Sequence, residues 1–245
     1  VPLTVALTAA AVSQDRAWLA TGQELDDSFG VWIQQLDERT GRPSGGQRLV
    51  ARCTLAVRQL AWHPLLPLLG IATDDGKLWV WDRSVEGAGT ASKPKRRDLS
   101  VSSGGGVRCV AFDPSGDLVA AALSSGSLVV FSLRDGSERC KATLWAKAPI
   151  GSERMSMAWR PDGGALALPG EAAVRLLFRA DLAPSSRASR PKPLLLEGGH
   201  RHPSTCVSWE PSGAFLASAS CEAVALWRLG PEGQAHLLRV CALEA

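Results

Sequence analysis

Four histidines, His63, His200, His202 and His236, are the imidazoles of this 245-residue chain. Imidazole is the side chain best suited to metal binding or proton transfer near neutral pH. His200-Arg201-His202 is the closest pair, but no third ligand stands at a metal-site spacing from it. The pair reads as a loop in which His200 bonds inside the fold. Asp74-Asp75 offers two adjacent carboxylates; followed by Gly76, it reads as a turn whose acid accepts backbone N–H bonds. Gly104-Gly105-Gly106 has the composition of a phosphate cradle, yet it leads into an apolar, strand-like run. The helix N-terminus that would hold a phosphate is missing there. No G-x-S-x-G, H-E-x-x-H or P-loop pattern occurs. The sequence predicts no catalytic residue, no metal site, no cofactor and no small-molecule substrate. It is not that of an enzyme.

Basic side chains are the more productive group. Lys93-Pro94-Lys95-Arg96-Arg97 forms one cluster, and Arg187, Arg190 and Lys192 form another. Such clusters suit phosphate backbones or an acidic protein partner. The plainer reading is a pair of solvated Pro/Ser-rich loops kept soluble by charge. Residues 93–97 also fit a nuclear localisation patch, so the expected localisation is nuclear, with cytoplasmic as the alternative.

The rest of the composition is that of an ordinary globular chain: 45% hydrophobic, 21% charged and a net charge of only +3, so charge alone does not imply nucleic acid. The six cysteines include no C-x-x-C pair, and several stand in apolar runs. They read as buried free thiols in a reducing compartment, ahead of a disulfide framework. No apolar run reaches the roughly 18 residues of a membrane span. The start, Val1-Pro2-Leu3, lacks an initiator Met and a basic leader, and reads as a piece cut from a longer chain.

One pattern organises the whole. Leu60-Ala61-Trp62-His63-Pro64 returns as Val110-Ala111-Phe112-Asp113-Pro114, as Met157-Ala158-Trp159-Arg160-Pro161 and as Val207-Ser208-Trp209-Glu210-Pro211. A degenerate copy, Ala11-Val12-Ser13-Gln14-Asp15, precedes them. After each aromatic-x-Pro comes a turn such as Ser115-Gly116, then a short apolar strand, a second turn and a third strand, for example Leu78-Trp79-Val80-Trp81. A more variable fourth strand follows. The two long basic stretches fall between third and fourth strands. Their equivalent positions place them on one face, where Arg39, Arg42 and Arg48 of the first copy extend a positive rim.

Several of these strands are apolar on both sides and need a cover on both sides. Radially stacked four-stranded sheets provide that, and a period of 40–50 residues with Trp-Asp closing a third strand marks WD repeats. Trp81-Asp82 is the one literal Trp-Asp, and Gly199-His200 the one literal Gly-His. Asp75, Trp81, Asp82, His200 and Trp227 are therefore expected to be blade-structural. The predicted fold is an all-β WD-repeat propeller of about five blades, at roughly 3–53, 54–104, 105–148, 149–198 and 199–245. Five would make a tight closed ring, so the chain reads as an arc of a seven-bladed one.

The stretch from Thr54 to Trp227 resembles the N-terminal WD propeller of the chromosome-transmission-fidelity replisome hub family, known in animals as the acidic nucleoplasmic DNA-binding protein family. Four features in order carry the resemblance: Thr54-Leu55-Ala56-Val57-Arg58 leading to Asp74-Asp75-Gly76; the run Val107 to Gly116; the connector Leu144 to Glu153 before Trp159 to Gly170, with its Leu166-Ala167-Leu168-Pro169; and Gly199-His200 before Trp209 to Gly213. The resemblance implies a non-catalytic nuclear scaffold linking the replicative helicase to polymerase-α and supporting sister-chromatid cohesion, with DNA binding possible. The alternative is a generic WD adaptor of nuclear-pore or ubiquitin-ligase substrate-receptor type.

Overall fold

The computed structural model describes residues 6–84, 96–101, 105–145, 155–182, 192–230 and 233–243. They form five four-stranded antiparallel sheets, each a simple meander. Blade 1 is β1–β4 (Leu7–Val12, Trp18–Leu25, Ser28–Leu36, Pro43–Cys53). Blade 2 is β5–β8 (Val57–Trp62, Leu68–Thr73, Lys77–Asp82, Arg96–Ser100). Blade 3 is β9–β12 (Val107–Phe112, Leu118–Leu123, Ser127–Ser132, Glu138–Thr143). Blade 4 is β13–β16 (Ala158–Trp159, Ala165–Leu168, Val174–Phe178, Leu194–Leu196), and blade 5 is β17–β20 (Ser204–Trp209, Phe215–Ser220, Ala223–Leu229, Ala235–Ala242). Helical geometry among the described residues is a single 3-10 turn, Arg179–Leu182.

The repeated turn explains the hairpins. Gly116, Gly163 and Gly213 lie four residues after the repeat aromatic with φ of 77°, 71° and 76°, a conformation glycine adopts without steric cost. Each donates its N–H to the carbonyl three residues back, on Asp113, Arg160 and Glu210. The chain reverses there and the second strand pairs with the first.

Four buried clusters lie between successive blades, and each unites residues from two neighbouring sheets. This is why β10 and β11 are buried along nearly their whole length: both faces are covered. The stacking has a repeated design. The first strand of each blade offers a small residue just before the repeat aromatic: Ala11, Ala61, Ala111, Ala158 and Ser208. Its cross-strand partner is also small: Ala20, Gly70, Ala120, Ala167 and Ala217. The aromatic of the next blade settles on this shallow row. A Cβ on Gly70 would stand 3.1 Å from the Phe112 ring. Where the aromatic is Trp, its Nε1–H donates across the joint: Trp62 to the Ala11 carbonyl at 3.2 Å, Trp159 to Ala111 at 3.3 Å and Trp209 to Ala158 at 3.0 Å.

The residue after the aromatic stitches the same joints at one end of the sheets. His63 Nε2 lies 3.0 Å from the Gly116 carbonyl of the next blade, while its Nδ1 accepts the N–H groups of Leu65 and Leu66 at 3.0 and 2.9 Å. That pattern fixes Nε2 as the protonated nitrogen. Asp113 accepts from Arg179 of the next blade at 2.7 Å. Arg160 lies against Gly213 of the next blade, its Nε 3.0 Å from where a Cβ would stand.

The six cysteines are free, but burial divides them. Cys53 and Cys109 are buried and Cys140 is half-buried, as apolar runs suggest, whereas Cys206, Cys221 and Cys241 are exposed. The free state is as the sequence suggests, but burial is not at those three positions. All three exposed cysteines belong to blade 5, and Cys206 and Cys241 lie in one cross-strand row on the sheet face that no described residue covers.

Candidate functional site

The blades have two ends. The turns between first and second strands and the connectors between third and fourth strands lie at one of them, here termed the connector end. Both basic stretches belong to connectors of this end, between β7 and β8 and between β15 and β16. Lys93, Lys95, Arg187 and Arg190 lie outside the described residues. Arg96 and Arg97 open β8, and Lys192 is exposed just before β16. Arg39 and Arg42 are exposed in the blade 1 connector, whereas Arg48 lies within β4.

A cleft opens at this end, and none of the described residues of the two basic stretches lines it. It has a volume of about 350 Å³ and lies between blades 3 and 4, lined by Leu118, Ser132, Arg134, Arg139, Arg179 and Leu182, with Asp117 at its edge. Arg97 of blade 2 lies outside this lining and donates to the Leu133 carbonyl of blade 3. The 3-10 turn at the base of the β15–β16 connector supplies Arg179 and Leu182. Leu182 is buried, so the cleft has an apolar floor beside the guanidinium groups of Arg134, Arg139 and Arg179.

The charges are not equivalent. The Asp113 side chain is fully buried and anchors Arg179. Burial pushes the Asp113 carboxyl up, but hydrogen bonds from Ser115, Arg179 and the Leu118 N–H outweigh this and hold it below the usual carboxylate range. Asp135 is likewise held low, by the backbone N–H and hydroxyl of Ser137. Its link to Arg139 is long, at 3.5 Å. Arg134 is exposed on the same rim. Arg179 is thus fixed in place, while Arg134 and Arg139 retain hydrogen-bonding capacity for an incoming anion.

Other sequence candidates serve the frame. Asp74 binds Arg58 within blade 2 and Arg108 of blade 3, at 2.6 Å to Arg58 Nε and 3.2 Å to Arg108 Nη1. Asp75 accepts from Thr73 and from the Lys77 N–H at 3.2 Å, closing its turn. A Cβ on Gly106 would stand 2.8 Å from the Asp74 carbonyl, so Gly106 is a packing joint; Gly104 lies outside the described residues. His202 lies 3.5 Å from Glu222, and no group of three or more His, Cys, Asp or Glu suited to a metal occurs among the described residues. Asp82 caps its own turn through Ser84 N–H at 2.8 Å.

Blade 5 contains a relay that the sequence alone did not single out. Ser218 Oγ receives Trp227 Nε1–H at 2.9 Å and lies 2.7 Å from His200 Nε2, so His200, Ser218 and Trp227 form one buried chain of bonds. In blade 2 the register puts Ile71 where Ser218 stands, and Trp81 Nε1 is buried without a partner. The blade with the literal Trp-Asp therefore lacks the relay.

Burial depresses both His63 and His200 below the ordinary 6.5, against opposing influences from the Gly116 carbonyl and nearby acids for His63 and from Glu222 for His200. Each histidine is neutral in the fold, and the unfolded chain takes up the protons first. Their contribution to stability is complete above the unfolded value, about 6.5, and is lost as pH falls below it. Urea midpoints measured from pH 7.5 down to 5 are expected to fall, and His200→Gln to flatten that slope; a midpoint constant across the range contradicts the assignment.

Comparison with known proteins agrees with this architecture. Residues 95–132 and 192–228 match the WD domain, G-beta repeat model. Each match runs from the last strand of one blade through three strands of the next, so the sequence repeat is offset by one strand from the sheet. No curated protein matches the chain in sequence. Among solved structures, a chain of "Crystal Structure of Mitotic Checkpoint Complex" superposes with a TM-score of 0.70 at 17% identity, covering 94% of this chain and 64% of that one. The chain thus spans under two thirds of the length of that neighbour. The fold is a WD-repeat propeller arc of five blades, a scaffold-type fold that mediates protein–protein interaction.

Proposed function

We propose that the connector end of this scaffold docks an acidic segment of a protein partner, and that the setting is a replisome or chromatin assembly in the nucleus. The observation that carries the docking site is the meeting of Arg134, Arg139 and Arg179 around one cleft with an apolar floor. A carboxylate-bearing segment with an apolar residue satisfies both parts of it. The replisome setting rests on the resemblance of residues 54–227 to the replisome hub propellers, whose partners are the replicative helicase and polymerase-α.

Purified helicase and polymerase-α subunits are expected to bind the chain, and Arg134→Glu with Arg139→Glu to weaken that binding about tenfold or more, with a reduced dependence on salt. Unchanged affinity in the double variant refutes the docking site. Failure of either partner to bind, with a ubiquitin-ligase core recovered instead, refutes the replisome setting and favours the generic adaptor.

A second reading, DNA binding, is favoured by the density of cations in residues 93–97. Lys95→Ala, Arg96→Ala and Arg97→Ala together are expected to lower the salt slope of duplex binding by about 3. An unchanged slope removes DNA from the account.

A further inference from the structure

The turn between first and second strands is polar in blades 3, 4 and 5, with Ser115-Gly116, Asp162-Gly163 and Ser212-Gly213. In blade 2 it is Pro64-Leu65-Leu66-Pro67. Leu65 is 71% exposed and Leu66 54%. The turn is nevertheless held firmly. His63 Nδ1 accepts both leucine N–H groups, and the Leu66 carbonyl accepts the Leu68 N–H at 2.7 Å. A proline on each side fixes its own φ. Two leucines are thus held in water on a pre-ordered turn, at a place where the fold works equally well with polar residues.

Beside this turn, a notch of about 200 Å³ opens across the blade 1–blade 2 joint. Trp18, Trp62, Leu65 and Leu66 line it, together with Asp15 and Arg83. The Arg83 guanidinium stacks 4.4 Å from the centre of the Trp18 ring. Arg83 holds the place in blade 2 that Arg179 holds in blade 4. Each donates its backbone N–H, at 2.9 Å, to the residue just before the second strand, Pro67 or Gly164. The two differ in what their side chains meet. Arg179 reaches back to the Asp113 carboxylate of the preceding blade. The residue of blade 1 that matches Asp113 is Ser13, since each donates its N–H to the first or second residue of its second strand's start, Trp18 or Leu118. Ser13 has no carboxylate to give, and its hydroxyl serves Asp15 and the Trp18 N–H. The Arg83 side chain makes no hydrogen bond among the described residues, and its Nε is buried without a partner. Asp15, by contrast, is occupied by the Ser13 hydroxyl and the Ala17 N–H at 3.1 Å. The uncommitted charge of the notch is therefore a cation.

We infer that this notch docks a partner segment in which a large apolar side chain stands next to a carboxylate. The apolar side chain enters between the two indoles and Leu66, and the carboxylate meets Arg83, in the role Asp113 has at the blade 3–blade 4 joint. A guanidinium stacked on an indole keeps its N–H edge open for that contact. Trp and Arg are the residues that concentrate binding energy at interfaces. The inference is independent of the blade 3–blade 4 cleft and stands without it.

The test titrates the chain with N-acetyl-leucine and with N-acetyl-leucinamide, which keeps the apolar side chain and lacks the carboxylate. The indole N–H signals of Trp18 and Trp62 are followed by NMR. N-acetyl-leucine is expected to shift both signals with millimolar affinity, and the amide to bind about fivefold more weakly. Arg83→Gln is expected to erase that difference and leave the amide unchanged. Leu66→Ser is expected to weaken both ligands. Arg134→Glu with Arg139→Glu is expected to alter neither, which keeps failure of this notch distinct from failure of the cleft. Equal binding of acid and amide to the unaltered chain overturns the inference, as does an acid preference that survives Arg83→Gln, or no shift of either indole signal up to tens of millimolar. Val85-Glu86 of the same chain, outside the described residues, is the competing occupant. A tenfold gain in N-acetyl-leucine affinity on Glu86→Gln would identify it and overturn a partner's place there.

Discussion

Gly116→Ala is expected to destabilise the protein by about 3 kcal/mol or more, two effects acting together. The position has φ of 77°, and an L-residue there costs roughly 1–2 kcal/mol. The added Cβ would also stand 2.2 Å from His63 Cε1 and 2.4 Å from Nε2. His63 has little freedom to retreat, since its ring holds the Gly116 carbonyl on one side and two backbone N–H groups on the other. Any movement leaves buried polar groups without partners, at about 1–3 kcal/mol each. Because His63 belongs to blade 2 and Gly116 to blade 3, the damage opens a joint between blades and not one hairpin. Chemical denaturation checks the size of the effect. Gly136→Ala is the control: its φ is 75°, but its Cβ would meet nothing closer than 3.5 Å, so it is expected to cost only the backbone share. Equal losses in the two variants contradict the clash.

Ser218→Ala is expected to cost about 2–4 kcal/mol, although it removes a single oxygen. That oxygen serves two buried groups, Trp227 Nε1 and His200 Nε2, and both lose their partner. His200 Nδ1 is already buried without one, so the ring becomes wholly unsatisfied. Ser218→Thr keeps the hydroxyl and is expected to recover a large part of the loss. Thermal unfolding followed by Trp fluorescence measures both. A loss in Ser218→Ala below about 0.5 kcal/mol, within the range of ordinary surface substitutions, contradicts a hydroxyl shared by the two groups.

The blade pattern was legible in the sequence because the aromatic, the proline and the turn glycine recur at near-fixed offsets, and each has one conformational role. The relay was not. Ser218 lies in a strand between alanines, where a serine carries no local signal, and its role depends on which strands pair. Conversely, Trp81-Asp82 is the one literal Trp-Asp, yet Ile71 stands where blade 5 has Ser218 and the Trp81 indole N–H has no acceptor. The joint residues His63, Asp113 and Arg160 share a position but no chemistry, so only coordinates reveal a common task. The thiols mislead for a related reason. Cys109 and Cys206 occupy the same place in their repeats, and one is buried and the other exposed because a neighbouring blade covers only the first.

The basic stretches were legible as composition. The cleft at the blade 3–blade 4 joint was not: its cations are Arg134, Arg139 and Arg179, none of them in those stretches, and it depends on Arg179 being anchored by Asp113 and on Leu182, neither of which a charge count singles out.

Lysine-reactive cross-linking of the intact assembly, read by mass spectrometry, tests the docking end most directly. The chain has six lysines: Lys93, Lys95 and Lys192 belong to connectors of the basic end, Lys77 and Lys141 lie toward the other, and Lys147 is outside the described residues. Partner cross-links are expected on the first three. Partner cross-links confined to Lys77 and Lys141 would place the docking surface on the opposite end and contradict the account.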